Sequence, residues 1–163
     1  MTLVNPFRDG VSHCPMSNPS APIKVSFSFY PADVAKLDTL VVGLRRLDMS
    51  ARGGTVLRAL IHLSPPTEMF AHSVLLAKAY GEKEGPREDD MIAGHPTVDL
   101  TREQVKKLDD VVTELAAKGV ISTRAFVVRA VLRAAPDAKA FAPIIRKFVS
   151  DFPRRPRGSL THY

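Results

Sequence analysis

Sulfur chemistry is nearly absent from this chain: 163 residues contain one cysteine, Cys14. A lone thiol closes no internal disulfide, and Cys14 reads as a bystander, so stability has to come from a packed core. No apolar run approaches the roughly 20 residues that span a bilayer, so no transmembrane segment is expected. The opening MTLVNPFRDG has no basic start followed by an apolar core, so no signal peptide is expected and the cytoplasm is the simplest compartment. Catalytic signatures are missing as well. The five histidines, at 13, 62, 72, 95 and 162, show no ligand spacing with cysteine or carboxylate. There is no glycine-rich phosphate loop, nucleophile elbow or carboxylate pair. Glu88-Asp89-Asp90 is a solvated charge run in a polar stretch. An enzyme is not expected, nor is a metal or cofactor.

The composition is that of a globular protein, 45% hydrophobic and 25% charged, with a net charge of +6. A basic balance favours an anionic partner such as nucleic acid or an acidic membrane surface; of the two, nucleic acid is the expected partner and a membrane is not.

Sliding the sequence against itself by 71 positions brings it back into register without a gap. Val34, Lys36, Leu37, Asp38 and Leu44 meet Val105, Lys107, Leu108, Asp109 and Leu115 (108 − 37 = 71). Val56, Arg58 and Ala59 meet Val127, Arg129 and Ala130; Pro65, Phe70 and Ala71 meet Pro136, Phe141 and Ala142. A constant offset across a turn and a proline points to an internal duplication.

Each copy reads strand, helix, helix, extra helix. IKVSFSF at 23–29 alternates with period two, placing Ile23, Val25, Phe27 and Phe29 on one face and Lys24, Ser26 and Ser28 on the other. Its counterpart is HPTVDL at 95–100, with Val98 and Leu100 inward and a weak start at Pro96, which lacks a donor. Helix one carries apolar residues at 34, 37, 41 and 44, and again at 105, 108, 112 and 115. Pro31 suits a first helical turn, Thr101 and Gln104 form a capping box, and Gly119 is a stop signal. Helix two is expected at about 53–63 and 123–135, the latter N-capped by Ser122. It is apolar on nearly every side and therefore buried, with Arg58 and Arg129 as structural partners inside it. Prolines 65, 66 and 136 end these helices, and third helices follow at about 67–80 and 137–151. The organisation is thus an arm at 1–21, a first unit at 22–80, an acidic linker at 81–93, a second unit at 94–152 and a basic tail at 153–163 carrying Arg154, Arg155 and Arg157.

FSFYPADVAKLDTLVVGLRRLDMSARGGTVLRALIHL and LTREQVKKLDDVVTELAAKGVISTRAFVVRAVLRAA resemble the ribbon-helix-helix family, that of the Arc and MetJ repressors and plasmid copy-number regulators. The tandem form is similar to the accessory DNA-binding proteins of T-DNA transfer from tumour-inducing plasmids. The resemblance implies a mainly α fold in which two units pair as an intramolecular pseudo-dimer, their strands forming a two-stranded antiparallel ribbon for the DNA major groove. It implies base contacts from Lys24, Ser26, Ser28, His95, Thr97 and Asp99. Phosphate contacts would come from the helix-two starts, Arg52, Gly53 and Gly54 in one unit and Ser122, Thr123 and Arg124 in the other. The expected function is sequence-specific binding of double-stranded DNA in transcriptional regulation, plasmid processing or conjugative transfer. Partners beyond DNA would be a second copy through the extra helices, or another DNA-processing protein. The rival is an interaction module of the same fold without DNA binding, favoured by Asp99, Pro96 and the acidic linker.

Overall fold

The computed structural model describes residues 21–81 and 91–152. The expected arm up to residue 20, linker residues 82–90 and the tail 153–163 lie outside the described residues. The described chain is mainly helical, with six helices and a two-stranded antiparallel sheet.

Strand β1 spans Ile23–Ser26 and β2 spans Thr97–Leu100. Ile23 lies opposite Leu100, Lys24 opposite Asp99, Val25 opposite Val98, and Ser26 opposite Thr97. The period-two alternation decides the faces: Val25, Phe27, Phe29, Val98 and Leu100 are buried, while Lys24, Ser26, His95, Thr97 and Asp99 are exposed. A slip of one residue would turn Phe27 and Phe29 to solvent, so the register is strongly specified. Regular β1 ends at Ser26, short of the expected Phe29. Pro96 has no N–H to continue the ladder, but pairing goes on through carbonyls. Phe27 N–H donates to the Pro96 carbonyl at 3.0 Å and Phe29 N–H to the Gly94 carbonyl at 2.9 Å.

The helices are α1 (Pro31–Arg46), α2 (Gly53–Leu63), α3 (Pro66–Gly81), α4 (Arg102–Ala117), α5 (Arg124–Ala134) and α6 (Ala138–Asp151). Helices α4 and α5 begin and end 71 residues after α1 and α2: 102 − 31, 117 − 46, 124 − 53 and 134 − 63 all equal 71. Helix α1 opens with Pro31, and the Asp33 carboxylate accepts from the Tyr30 N–H at 2.9 Å. Helix α4 opens with the Thr101–Gln104 capping box, both bonds formed. Gly119 closes α4 at φ +82°, and Val120 N–H reaches back to the Leu115 carbonyl at 2.9 Å. Asp48, at φ +59°, does the same after α1, with Met49 N–H on the Leu44 carbonyl at 3.1 Å. Pro66 opens α3 instead of ending α2, whose end is set by Ser64 in extended backbone ahead of Pro65.

Helices α2 and α5 form the centre. α2 packs against β2, α1, α4, α5 and α6; α5 packs against α1, α2, α3 and α4. On α1 and α4 the buried stripe includes Leu40 and Val111 beside the expected residues, whereas Val34 and Val112 are half-buried. The extra helices cross over: α3 lies on α4 and α5, and α6 on α1 and α2. Gly43 on α1 is the close approach to α6, since a Cβ there would collide with the Ala138 Cβ.

Polar contacts cross in matched pairs. Arg133 Nε donates to Asp33 Oδ1 at 2.6 Å; 71 positions away, Gln104 Nε2 lies 3.4 Å from His62 Nδ1 (104 − 33 = 133 − 62 = 71). Lys36 Nζ donates to the Ala135 carbonyl at 2.8 Å, and Lys107 Nζ (107 − 36 = 71) to the Ile61 and His62 carbonyls at 2.8 and 3.1 Å. These lysines satisfy carbonyls that a helix end leaves without intrahelical partners, where its dipole favours a cation. Partial burial pushes the Lys107 ammonium below its ordinary value. Arg58 and Arg129 sit over rings instead of carboxylates: Arg58 lies 5.8 Å from the Phe148 centroid and Arg129 4.4 Å from that of Tyr30.

Two substitutions test this packing by urea unfolding. Asp48→Gly relieves a left-handed non-glycine residue and should stabilise by about 0.5–1 kcal/mol. Gly43→Val should destabilise by about 1–3 kcal/mol, because α6 must move off α1.

Candidate nucleic-acid interface

The six ribbon residues come together on one solvent-facing strip. Ser26 Oγ and Thr97 Oγ1 are 2.8 Å apart at its middle. Ser28 Oγ and His95 Nδ1 are 3.5 Å apart toward one end. Lys24 and Asp99 are cross-strand partners at the other. The strip is therefore a row of donors and acceptors with one formal positive and one formal negative charge, backed by an apolar underside that is buried except at half-buried Ile23. Its rigidity comes from below: Phe27, Phe29 and Leu100 are each 0% exposed. Burying a side chain of that size is worth roughly 1.5–3 kcal/mol.

The turns before α2 and α5 differ from expectation in their details. Thr123, not Ser122, is the N-cap of α5, its Oγ1 accepting from the Phe126 N–H at 3.2 Å. Ser122 Oγ is buried without a hydrogen-bond partner. Ala51, 71 positions earlier, is likewise buried, so this position is an inward-facing one that a hydroxyl merely tolerates. Arg52 is the exposed N-cap of α2. The close approach at Gly53 is to the protein itself, since a Cβ there would stand 3.3 Å from Leu37 Cδ2. Gly54 has open space around its Cα.

Arg124 grips Asp109 with both arms of its guanidinium, Nε to Oδ1 at 2.5 Å and Nη2 to Oδ2 at 2.8 Å. Asp109 went unnoticed as a site residue because it lies 15 positions from Arg124, a spacing without local meaning. The Arg124 hydrogen bond holds the Asp109 carboxyl below the usual carboxylate range, burial opposing it slightly. An approaching phosphate would have to compete with this carboxylate.

Six of the 23 lysines and arginines are engaged within the fold. Lys36 and Lys107 cap helices, Arg58 and Arg129 sit on rings, and Arg124 and Arg133 hold Asp109 and Asp33. The net charge of +6 therefore overstates the cationic surface open to a partner. Among the described residues, no group of three or more His, Cys, Asp or Glu could hold a metal ion, and no helix is long and apolar enough to cross a membrane.

No family model, curated protein or solved structure matches the chain.

The Asp109–Arg124 bridge has a definite pH signature. Because the Asp109 pKa is lowered in the folded chain, its contribution is present above the ordinary value of 3.8 and is lost as pH falls through the folded value. Asp109→Asn should lower stability at neutral pH by roughly 0.2–1 kcal/mol, the half-exposed pair being screened by solvent. Thermal unfolding of both chains should then converge as the buffer is acidified.

Proposed function

We propose that the chain is a tandem ribbon-helix-helix protein whose two units pair within one polypeptide, and that it binds duplex DNA by seating the ribbon in the major groove. The observation that carries this reading is the ladder register. Ser26 pairs with Thr97, its own counterpart 71 positions on. An approximate two-fold axis through that pair exchanges Lys24 with His95 and Ser28 with Asp99 (95 − 24 = 99 − 28 = 71). The equal spans of α1 and α4, and of α2 and α5, support it, as do the matched Asp33–Arg133 and Gln104–His62 contacts.

Such a ribbon fits a major groove about 12 Å wide. Lys24 would donate to guanine O6 and N7, Ser26, Ser28 and Thr97 would serve as donor or acceptor, and Asp99 would accept from cytosine N4. Phosphates would be held by Arg52, by the amides at Gly53 and Gly54, and by the Thr123 turn, with Arg124 exchanging Asp109 for a phosphate. The two units present different side chains, so the preferred site would be non-palindromic. The role would be transcriptional regulation or an accessory part in plasmid processing or DNA transfer.

A second reading, an interaction module of the same fold without DNA binding, draws on Asp99 standing opposite Lys24 and on the cations held within the fold.

Fluorescence anisotropy with a random duplex separates the two readings. Affinity should fall steeply between about 50 and 200 mM salt as counterions are released. On a site selected from a random pool, Lys24→Ala should cost about 1–3 kcal/mol, whereas Asp99→Asn should tighten binding to random duplex by removing a repelled carboxylate and lose the preference for cytosine at its position. Absence of binding at the lower salt, or affinity indifferent to both substitutions, would reject the ribbon as a DNA reader.

A further inference from the structure

Between the start of α1, the end of α3 and the face of α5 lies a cavity of about 260 Å³ lined by Tyr30, Tyr80, Phe126 and Arg129. Three of its four walls are rings. Tyr80 stands edge-on to Tyr30 with centroids 6.5 Å apart, and is tilted against Phe126 at 6.2 Å. The fourth wall is a cation: the Arg129 guanidinium lies 4.4 Å from the Tyr30 centroid and 5.7 Å from that of Phe126.

Arg129 is 8% exposed, and its hydrogen bonding is incomplete. Nε donates to the Ala125 carbonyl at 3.4 Å, a long bond, and Nη1 is buried with no partner. A buried cationic donor left unpaired is costly unless something accepts from it. The Asp33 carboxylate accepts from Arg133 at 2.6 Å and from the Tyr30 N–H at 2.9 Å, and forms no hydrogen bond with Arg129 Nη1. Arg129 and Arg133 against Asp33 leave one positive charge without a counterpart. Burial pushes the Tyr80 phenol above its ordinary value, with Arg133 and Arg129 opposing.

The fold itself does not require this arrangement. At the positions 71 residues away, Tyr30, Phe126 and Tyr80 are replaced by Thr101, Thr55 and Asp151, and among the four wall residues the arginine alone recurs, as Arg58. Tyr30 and Tyr80 come from the first unit and Phe126 from the second, and this set of three rings does not recur at the counterpart positions.

We propose that this cavity binds a small aromatic carboxylate, its carboxylate facing the Arg129 guanidinium and its ring packed against Tyr30, Tyr80 and Phe126. The volume lies below that of pockets for drug-sized ligands, which begin at roughly 300 Å³, so a single-ring acid is the size class. The pairing is a charge-assisted bond in a desolvated setting, where it is strongest. A phosphate would bring further charge and hydration against three rings that offer little in return.

The test uses the full chain and sodium benzoate, followed by NMR chemical shifts, with benzyl alcohol and inorganic phosphate as comparison probes. Benzoate should give saturable shifts centred on Tyr30, Tyr80, Phe126 and Arg129, and each comparison probe should bind at least about tenfold more weakly. Arg129→Met keeps the side-chain volume and removes the charge, and should lose benzoate binding while its spectrum stays dispersed. Absent or unsaturable shifts, shifts centred elsewhere, benzyl alcohol binding as tightly as benzoate, or unchanged binding in Arg129→Met would each overturn the proposal. Should Arg129→Met fail to fold, the position of the shifts and the benzoate-to-alcohol ratio in the unsubstituted chain decide the question.

Discussion

The pairing of β1 with β2 is what the remaining contacts depend on, because a strand of four residues has no stable existence alone. Each strand offers one apolar side, and its ladder partner comes from the far half of the chain. Once paired, they present Val25, Phe27, Phe29, Val98 and Leu100 as a joint underside. Helices α2 and α5, apolar around most of their circumference, are what can fill the space beneath it. Those two helices are in turn covered by the extra helices, which cross over: α3 packs on α5 and α6 on α2.

The charges follow the same logic of crossing. The lysine early in each first helix reaches the carbonyl end of the other half's second helix, and Asp33 and Gln104 reach Arg133 and His62 in the same sense. Most of these contacts tie an element near the ribbon to one in the opposite half, so neither half is complete by itself. Six basic residues that would otherwise add to an anion-binding surface are bolts of this assembly. On the DNA reading, the remaining exposed cations supply the affinity and the ribbon's hydrogen-bonding side chains the choice of sequence.

The helical frame was legible in the sequence because it is written locally. A 3.6-residue apolar stripe, the Thr101–Gln104 box, Pro31 and Gly119 each act within one turn of their own position, and α1, α2, α4 and α5 start and stop within a residue or two of where those signals put them. The alternating face of the ribbon was equally plain. What could not be read was which distant side chains meet. Asp33 and Arg133 are 100 residues apart, and the crowding of Gly43 against Ala138 belongs to a helix crossing, not to either helix. The Ser122 assignment failed for a related reason: Ser and Thr are both good caps, and the choice between 122 and 123 was made by the position of the turn, which buries one hydroxyl and exposes the other.

The separation of the two strands along the chain also sets a schedule for biosynthesis. Ser26 leaves the ribosome 71 residues before Thr97 does. At about 5–20 residues per second, this is a wait of roughly 4–14 s during which Phe27 and Phe29 have no ladder partner to close over them. Helix α2 is made in that interval and must remain without β2 and α5 until synthesis has passed Ala134. The first half therefore emerges as a sticky nascent segment, and folding is deferred until the second half arrives.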